Sequence, residues 1–229
     1  YNTFRVQGNL TAIGTPAQPI TFTSLANTGP GQWSGLVFEG GAGYLRNASV
    51  RYGDSANVIV RNVLTGEVRL ESSRVLTGAD NGVQVENGHL RMSDTLLSGN
   101  GDTSSEYPLR ALGASTLLTL TNNTFQNNSR DRVLIYSEAI MATNGRLPRQ
   151  NGLEGYELTG SATVPAGQTL TVEPGVQVMS NSDLRVFGRL VALGEPSRPI
   201  TFTSSRDDGT CGPYKDWQGL VLDGNAASG

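Results

Sequence analysis

Two stretches of this chain, 180 positions apart, repeat one another. Residues 1–24, YNTFRVQGNLTAIGTPAQPITFTS, return as residues 181–204, NSDLRVFGRLVALGEPSRPITFTS, with 13 of the 24 positions identical. The survivors form a scaffold: Arg5/Arg185, Val6/Val186, Gly8/Gly188, Leu10/Leu190, Gly14/Gly194, Pro16/Pro196 and Pro19/Pro199, then Ile-Thr-Phe-Thr-Ser in both. After a four-residue insertion the pairing resumes, with Trp33-Ser-Gly-Leu-Val against Trp217-Gln-Gly-Leu-Val. Self-similarity of this kind points to a repeat architecture, in which each unit stacks only on its neighbours. A chain that opens and closes inside one motif is also expected to be a piece of something longer.

Helix signals are scarce. Short alternating segments such as NVIVRN, EVRLES, GVQVENG and LLTLTN are bounded by Gly, Asn, Asp or Ser, and alternation at period two is the strand pattern. Between the long copies a weaker register runs through Leu45, Leu70, Met92 and Leu120, which advance by 25, 22 and 28 residues. Val58 and Val60 are matched by Val83 and Val85, then by Leu109 and Ala111, and by Val133 and Ile135. A helix-free period of this length with two or three strands fits one coil of a solenoid, whereas a propeller blade needs about 40–50 residues. Asn47, Ser72, Asp94 and Asn122 share one row, expected to be a corner joined by side-chain hydrogen bonds between coils. The stretch 139–160, broken by Gly, Pro and Asn, divides the chain into coils of one superunit, 1–150, and coils opening a second, 151–229. The expected fold is all-β, a parallel β-helix of about seven coils.

Gly is 29 of 229 residues, about twice the usual share of roughly 7%, without a collagen period. Frequent turns account for it. The net charge of -3 and the 16% of charged residues disfavour a nucleic-acid partner. No apolar run reaches the 18 residues of a membrane span. Cys211 is the single cysteine, so no disulfide forms within the chain. With His89 as the only histidine, zinc sites and Ser-His-Asp triads have no support. Glycoside hydrolysis asks for two facing carboxylates, and the aligned strands offer none: Asp94 lies between Ser72 and Asn122.

The series Thr169-Leu-Thr-Val-Glu-Pro-Gly175, Leu184-Arg-Val-Phe-Gly188, Pro199-Ile-Thr-Phe-Thr-Ser204 and Trp217-Gln-Gly-Leu-Val resembles the right-handed parallel β-helix repeats of large bacterial secreted and cell-surface proteins. The resemblance covers essentially the whole chain and implies a right hand, an extracellular or surface location, and a stalk, adhesin shaft or filament. Its partners would be neighbouring copies or domains of the same protein, or a polysaccharide. Similar proteins often carry Arg-Asp-Asp in the loop before Trp-x-Gly, an arrangement suited to calcium. Here Asp207, Asp208 and Asp216 would be its ligands, although three acids supply only part of the six to eight oxygens calcium takes. No cofactor is otherwise required. The chain is expected to be non-enzymatic. The alternative is a carbohydrate-active module, lyase-like or glycan-binding, on one face. Its candidates are Arg69 and Arg91, at equivalent places on successive coils, with Trp33 and Trp217 as stacking platforms, though both Trp residues suit packing at a coil edge as well.

Overall fold

A computed structural model describes residues 2–141, 143–206 and 217–223. The chain winds as a parallel β-solenoid of about seven turns with essentially no helix. It opens with β1 (Phe4–Val6), β2 (Leu10–Ile13) and β3 (Ile20–Phe22), followed one turn up by β4 (Leu36–Glu39), β5 (Gly43–Arg46) and β6 (Ala48–Arg51). Next come β7 (Ala56–Arg61), β8 (Val68–Glu71) and β9 (Arg74–Leu76), then β10 (Asn81–Glu86), β11 (His89–Ser93) and β12 (Leu96–Ser98). Above these lie β13 (Leu109–Leu112), β14 (Leu117–Thr121) and β15 (Thr124–Gln126). The following turn is irregular: β16 (Arg132–Tyr136), a 3₁₀ turn at Ser137–Ala139, and the two-residue β17 (Arg146–Leu147). Regularity returns with β18 (Gly155–Thr159), β19 (Ala162–Val164) and β20 (Thr169–Val172), then β21 (Gln177–Ser180), β22 (Asp183–Val186) and β23 (Arg189–Ala192). The last strands are β24 (Thr201–Ser204) and β25 (Gly219–Leu222).

One sheet of nine strands, β1-β4-β7-β10-β13-β16-β18-β21-β24, runs the whole described length. Two five-stranded sheets, β2-β5-β8-β11-β14 and β3-β6-β9-β12-β15, close the lower turns, and two three-stranded sheets, β17-β20-β23 and β19-β22-β25, close the upper ones. Every backbone ladder therefore runs between turns, along the axis, and inward side chains stack in rows. One row is Val6, Phe38, Val60, Val85, Ala111, Ile135 and Leu158, each opposite the next. Another is Leu45, Leu70, Met92 and Leu120, as the spacing predicts. These rows make one continuous apolar core.

The corners divide two tasks that the sequence pattern merges. Asn47, Ser72, Asp94 and Asn122 do share a row, with φ of +47°, +48°, +49° and +53°. Their common property is the left-handed backbone that Asn and Asp tolerate best. Asn47 Nδ2 does donate to Gly14 O on the turn below at 3.2 Å, but the ladder that continues from turn to turn belongs to the residue that follows. Thr95 N–H donates to Asn123 Oδ1 at 3.1 Å, and Asn123 N–H to Gln150 Oε1 at 2.8 Å. Asn123 Nδ2 donates back to Met92 O at 3.0 Å and up to Gln150 Oε1 at 3.0 Å, so its amide satisfies two backbone groups on the turn below and a side chain on the turn above.

The 180-residue echo is not a whole number of turns. In the first copy β1 and β4 flank one complete turn, with Phe4 opposite Leu36, and in the second β22 and β25 do the same, with Leu184 opposite Leu220. Yet β1 lies in the nine-stranded sheet, whereas in the second copy that sheet holds β24, the counterpart of β3. Seven steps along the sheet lead from β1 to β21, and β22 lies one strand further on. The motif thus recurs after seven turns and one face, and its long connection leaves from a different corner.

Candidate functional site

The outer surface of the β2-to-β14 sheet carries Tyr44, Arg69, Arg91 and Thr119 in register. Successive turns bring Arg69 and Arg91 side by side, as expected, because both take the outward positions of strands whose inward residues are Val68, Leu70, Leu90 and Met92. Glu67 sits between them: its Oε1 lies 3.5 Å from Arg69 Nε and 3.2 Å from Arg91 Nε. The Arg69 guanidinium also covers the Tyr44 ring at 5.1 Å. Two cations thus share one carboxylate, and both remain 47% exposed. The strip is therefore electropositive and open. Arg46 stands opposite Glu71, two register positions along from Tyr44 and Arg69, and pairs with it at 3.5 Å.

The tryptophans do not join this strip. Trp33 precedes β4, where it is only 6% exposed; its indole N–H donates to Arg51 O at 2.8 Å and its backbone bridges Gly53. So little of its ring meets solvent that it covers the core instead of offering a stacking face. Trp217 is half-buried ahead of β25. The calcium candidates Asp207, Asp208 and Asp216 lie outside the described residues, as does Cys211. Among the described residues no group of three or more His, Cys, Asp or Glu side chains is placed to hold a metal. His89 sits in β11 opposite Leu117, its N–H donating to Val63 O at 3.1 Å.

An acidic corner escaped the strand-by-strand comparison. Asp54, Asp80, Asp102 and Glu106 gather just before β7, β10 and β13, and Asp80 N–H donates to Asp54 O at 3.0 Å. Desolvation first, and then the charges of Glu106, Asp54 and Asp102, hold the Asp80 carboxyl above its ordinary value of 3.8. The signal was available: Asp54 and Asp80 lie four and three residues ahead of the matched pair Val58/Val83. A carboxyl with a raised folded pKa binds more protons folded than unfolded, so its ionisation costs stability as pH rises through that window. Asp80→Asn should therefore raise the melting temperature at pH 7. The gain should vanish once the pH falls below the ordinary carboxyl value. A thermal melt series that finds the gain equal at pH 3 and pH 7 would assign it to another cause.

Elsewhere the outer charges pair locally across turns. Arg61 Nε lies 2.6 Å from Glu86 Oε2, and this hydrogen bond leads the effects that hold the Glu86 carboxyl below its usual value. Arg132 bridges Glu154 at 2.8 Å and Glu157 at 3.2 Å. Tyr107, buried beside Glu157, has its phenol pushed up to about 12. No helix among the described residues is long and apolar enough to cross a membrane. Comparison with family models, with curated proteins and with solved structures gives no match.

Proposed function

We propose that this chain is a structural segment of a large extracellular or cell-surface bacterial protein, serving as a shaft in a stalk, adhesin or filament. The observation that carries this reading is the nine-stranded parallel sheet running the full described length beside one continuous core. At about 4.8 Å per strand, nine levels make a rod close to 40 Å long whose stiffness comes from ladders aligned with its axis. Charges paired from turn to turn, as in Arg61–Glu86 and Arg132–Glu154, suit a shaft by tying its outer surface along the axis. The surface location rests on the sequence resemblance. The motif's return after seven turns and one face has a geometric use: long connections from successive copies would step around the rod and display their loops in different directions.

An antiserum raised against the chain should label intact producing cells. Labelling that appears only after permeabilisation would overturn the surface placement.

A further inference from the structure

The electropositive strip of the β2-to-β14 sheet does not fade upward but runs into a cleft. That sheet ends at β14, and no strand pairs with its upper edge. Leu117 N–H donates down to Gly88 O at 2.9 Å, and Thr121 O accepts from Asp94 N–H below at 3.0 Å. Odd-numbered residues of β14 therefore address β11, and the alternation of a strand turns Leu118 and Leu120 upward. Gln150 Nε2 reaches Leu120 O at 3.5 Å, and among the described residues no donor or acceptor meets the amides of Leu118 and Leu120. A cleft of about 430 Å³ lies over this edge, walled on its far side by 143–150 and Glu173.

The charge of the wall says what belongs there. The charge balance of the wall is positive: Arg146 Nε binds Glu173 Oε1 at 2.6 Å, the Arg149 N–H takes Glu173 Oε2 at 2.8 Å, and no ion pair forms to the Arg149 guanidinium among the described residues. Free amides and a spare guanidinium favour a carboxylate. The Leu118 carbonyl and Asn122 favour a ring bearing several hydroxyls.

We infer that this cleft binds a carboxylate-bearing sugar residue of an acidic polysaccharide, whose chain continues down the sheet over Thr119, Arg91 and Arg69 to Tyr44. Each turn adds about 4.8 Å, so the strip below the cleft spans roughly two to three sugar units. The inference stands apart from the shaft reading, since a rod without ligand would remain a rod.

Calorimetric titration with a trimer of galacturonic acid tests it, with the galactose trimer and monomeric galacturonic acid as comparators. The acidic trimer should bind at least tenfold more tightly than either. Arg149→Ala should weaken binding about tenfold, while Arg74→Ala, an exposed cation on another sheet, should leave it unchanged. No binding of the acidic trimer, or equal binding of the galactose trimer, overturns the assignment. A trimer no tighter than the monomer overturns its polymeric part. Equal losses in Arg149→Ala and Arg74→Ala would mean diffuse charge attraction and would likewise contradict a built site.

Discussion

Replacing Asn100 with alanine should destabilise the fold by about 3–5 kcal/mol, the sum of several buried groups left unpaired at roughly 1–3 kcal/mol each. Asn100 is fully buried at the corner where β12 leads toward β13. Its Oδ1 accepts from Asn57 Nδ2 at 2.8 Å and from Gly78 N–H at 3.2 Å, both below it. Its Nδ2 donates to Val75 O at 3.2 Å and to Asn128 Oδ1 at 2.8 Å. Asn128 Nδ2 continues the chain to Asp131 Oδ1 at 2.6 Å and to Leu97 O at 3.0 Å. At this corner the backbone leaves its strand ladder, and a stack of side-chain amides substitutes for it turn by turn. Alanine removes the central rung and strands its partners in a place water does not reach. Asn100→Asp keeps the acceptor but sets a carboxylate against Asn128 Oδ1, so it should be no better tolerated. Urea unfolding measures both; a loss under about 1 kcal/mol for alanine would mean the amide stack contributes little.

Phe38 and Gly43 should behave as one packing unit. Phe38 is the single aromatic in its inward row, with Val6 below and Val60 above, and it is fully buried. Gly43 occupies a place in the neighbouring row held by Leu10 below and Val68 above. A Cβ at Gly43 would stand 2.3 Å from Phe38 Cε1 and 2.7 Å from Cζ, so the ring fills the space that the missing side chain vacates. Gly43→Val should cost about 3 kcal/mol by overpacking, and Phe38→Val about 2–4 kcal/mol by leaving a cavity. Together they exchange a large and a null residue for two of the size their rows prefer. The double variant should therefore be more stable than either single one, a coupling well above the roughly 0.5 kcal/mol of independent sites. Additive losses would show that ring and glycine do not share the space.

What could be read in the sequence is what solenoid physics repeats at every turn. Leu45, Leu70, Met92 and Leu120 were legible because an inward row tolerates only apolar side chains. Their corner neighbours were legible because a left-handed backbone selects Asn, Asp and Gly. The amide ladders were displaced by one residue in that reading, since Ser73, Thr95, Asn123 and Gln150 serve one purpose with four different side chains. The one-face rotation of the repeat was hidden because turns of 22 to 28 residues fit a 180-residue interval without fixing where on the circumference it ends. Arg69 and Arg91 came together as their spacing implied, but the tie through Glu67 depends on side-chain reach. The cleft above them was invisible: it exists because β14 loses its upper partner, and nothing in LLTLT differs from a strand that keeps one.

The central claim is a shaft whose turns hold only their neighbours. Pulling a single molecule by handles at Asn2 and Val221, near opposite ends of the rod, tests it most directly. Turns should peel away one at a time, each releasing 22 to 36 residues, or roughly 70–130 Å of contour at about 3.3–3.6 Å per residue. Release of the whole chain in one event, or extension without resistance, would contradict a rod built from turn-to-turn ladders.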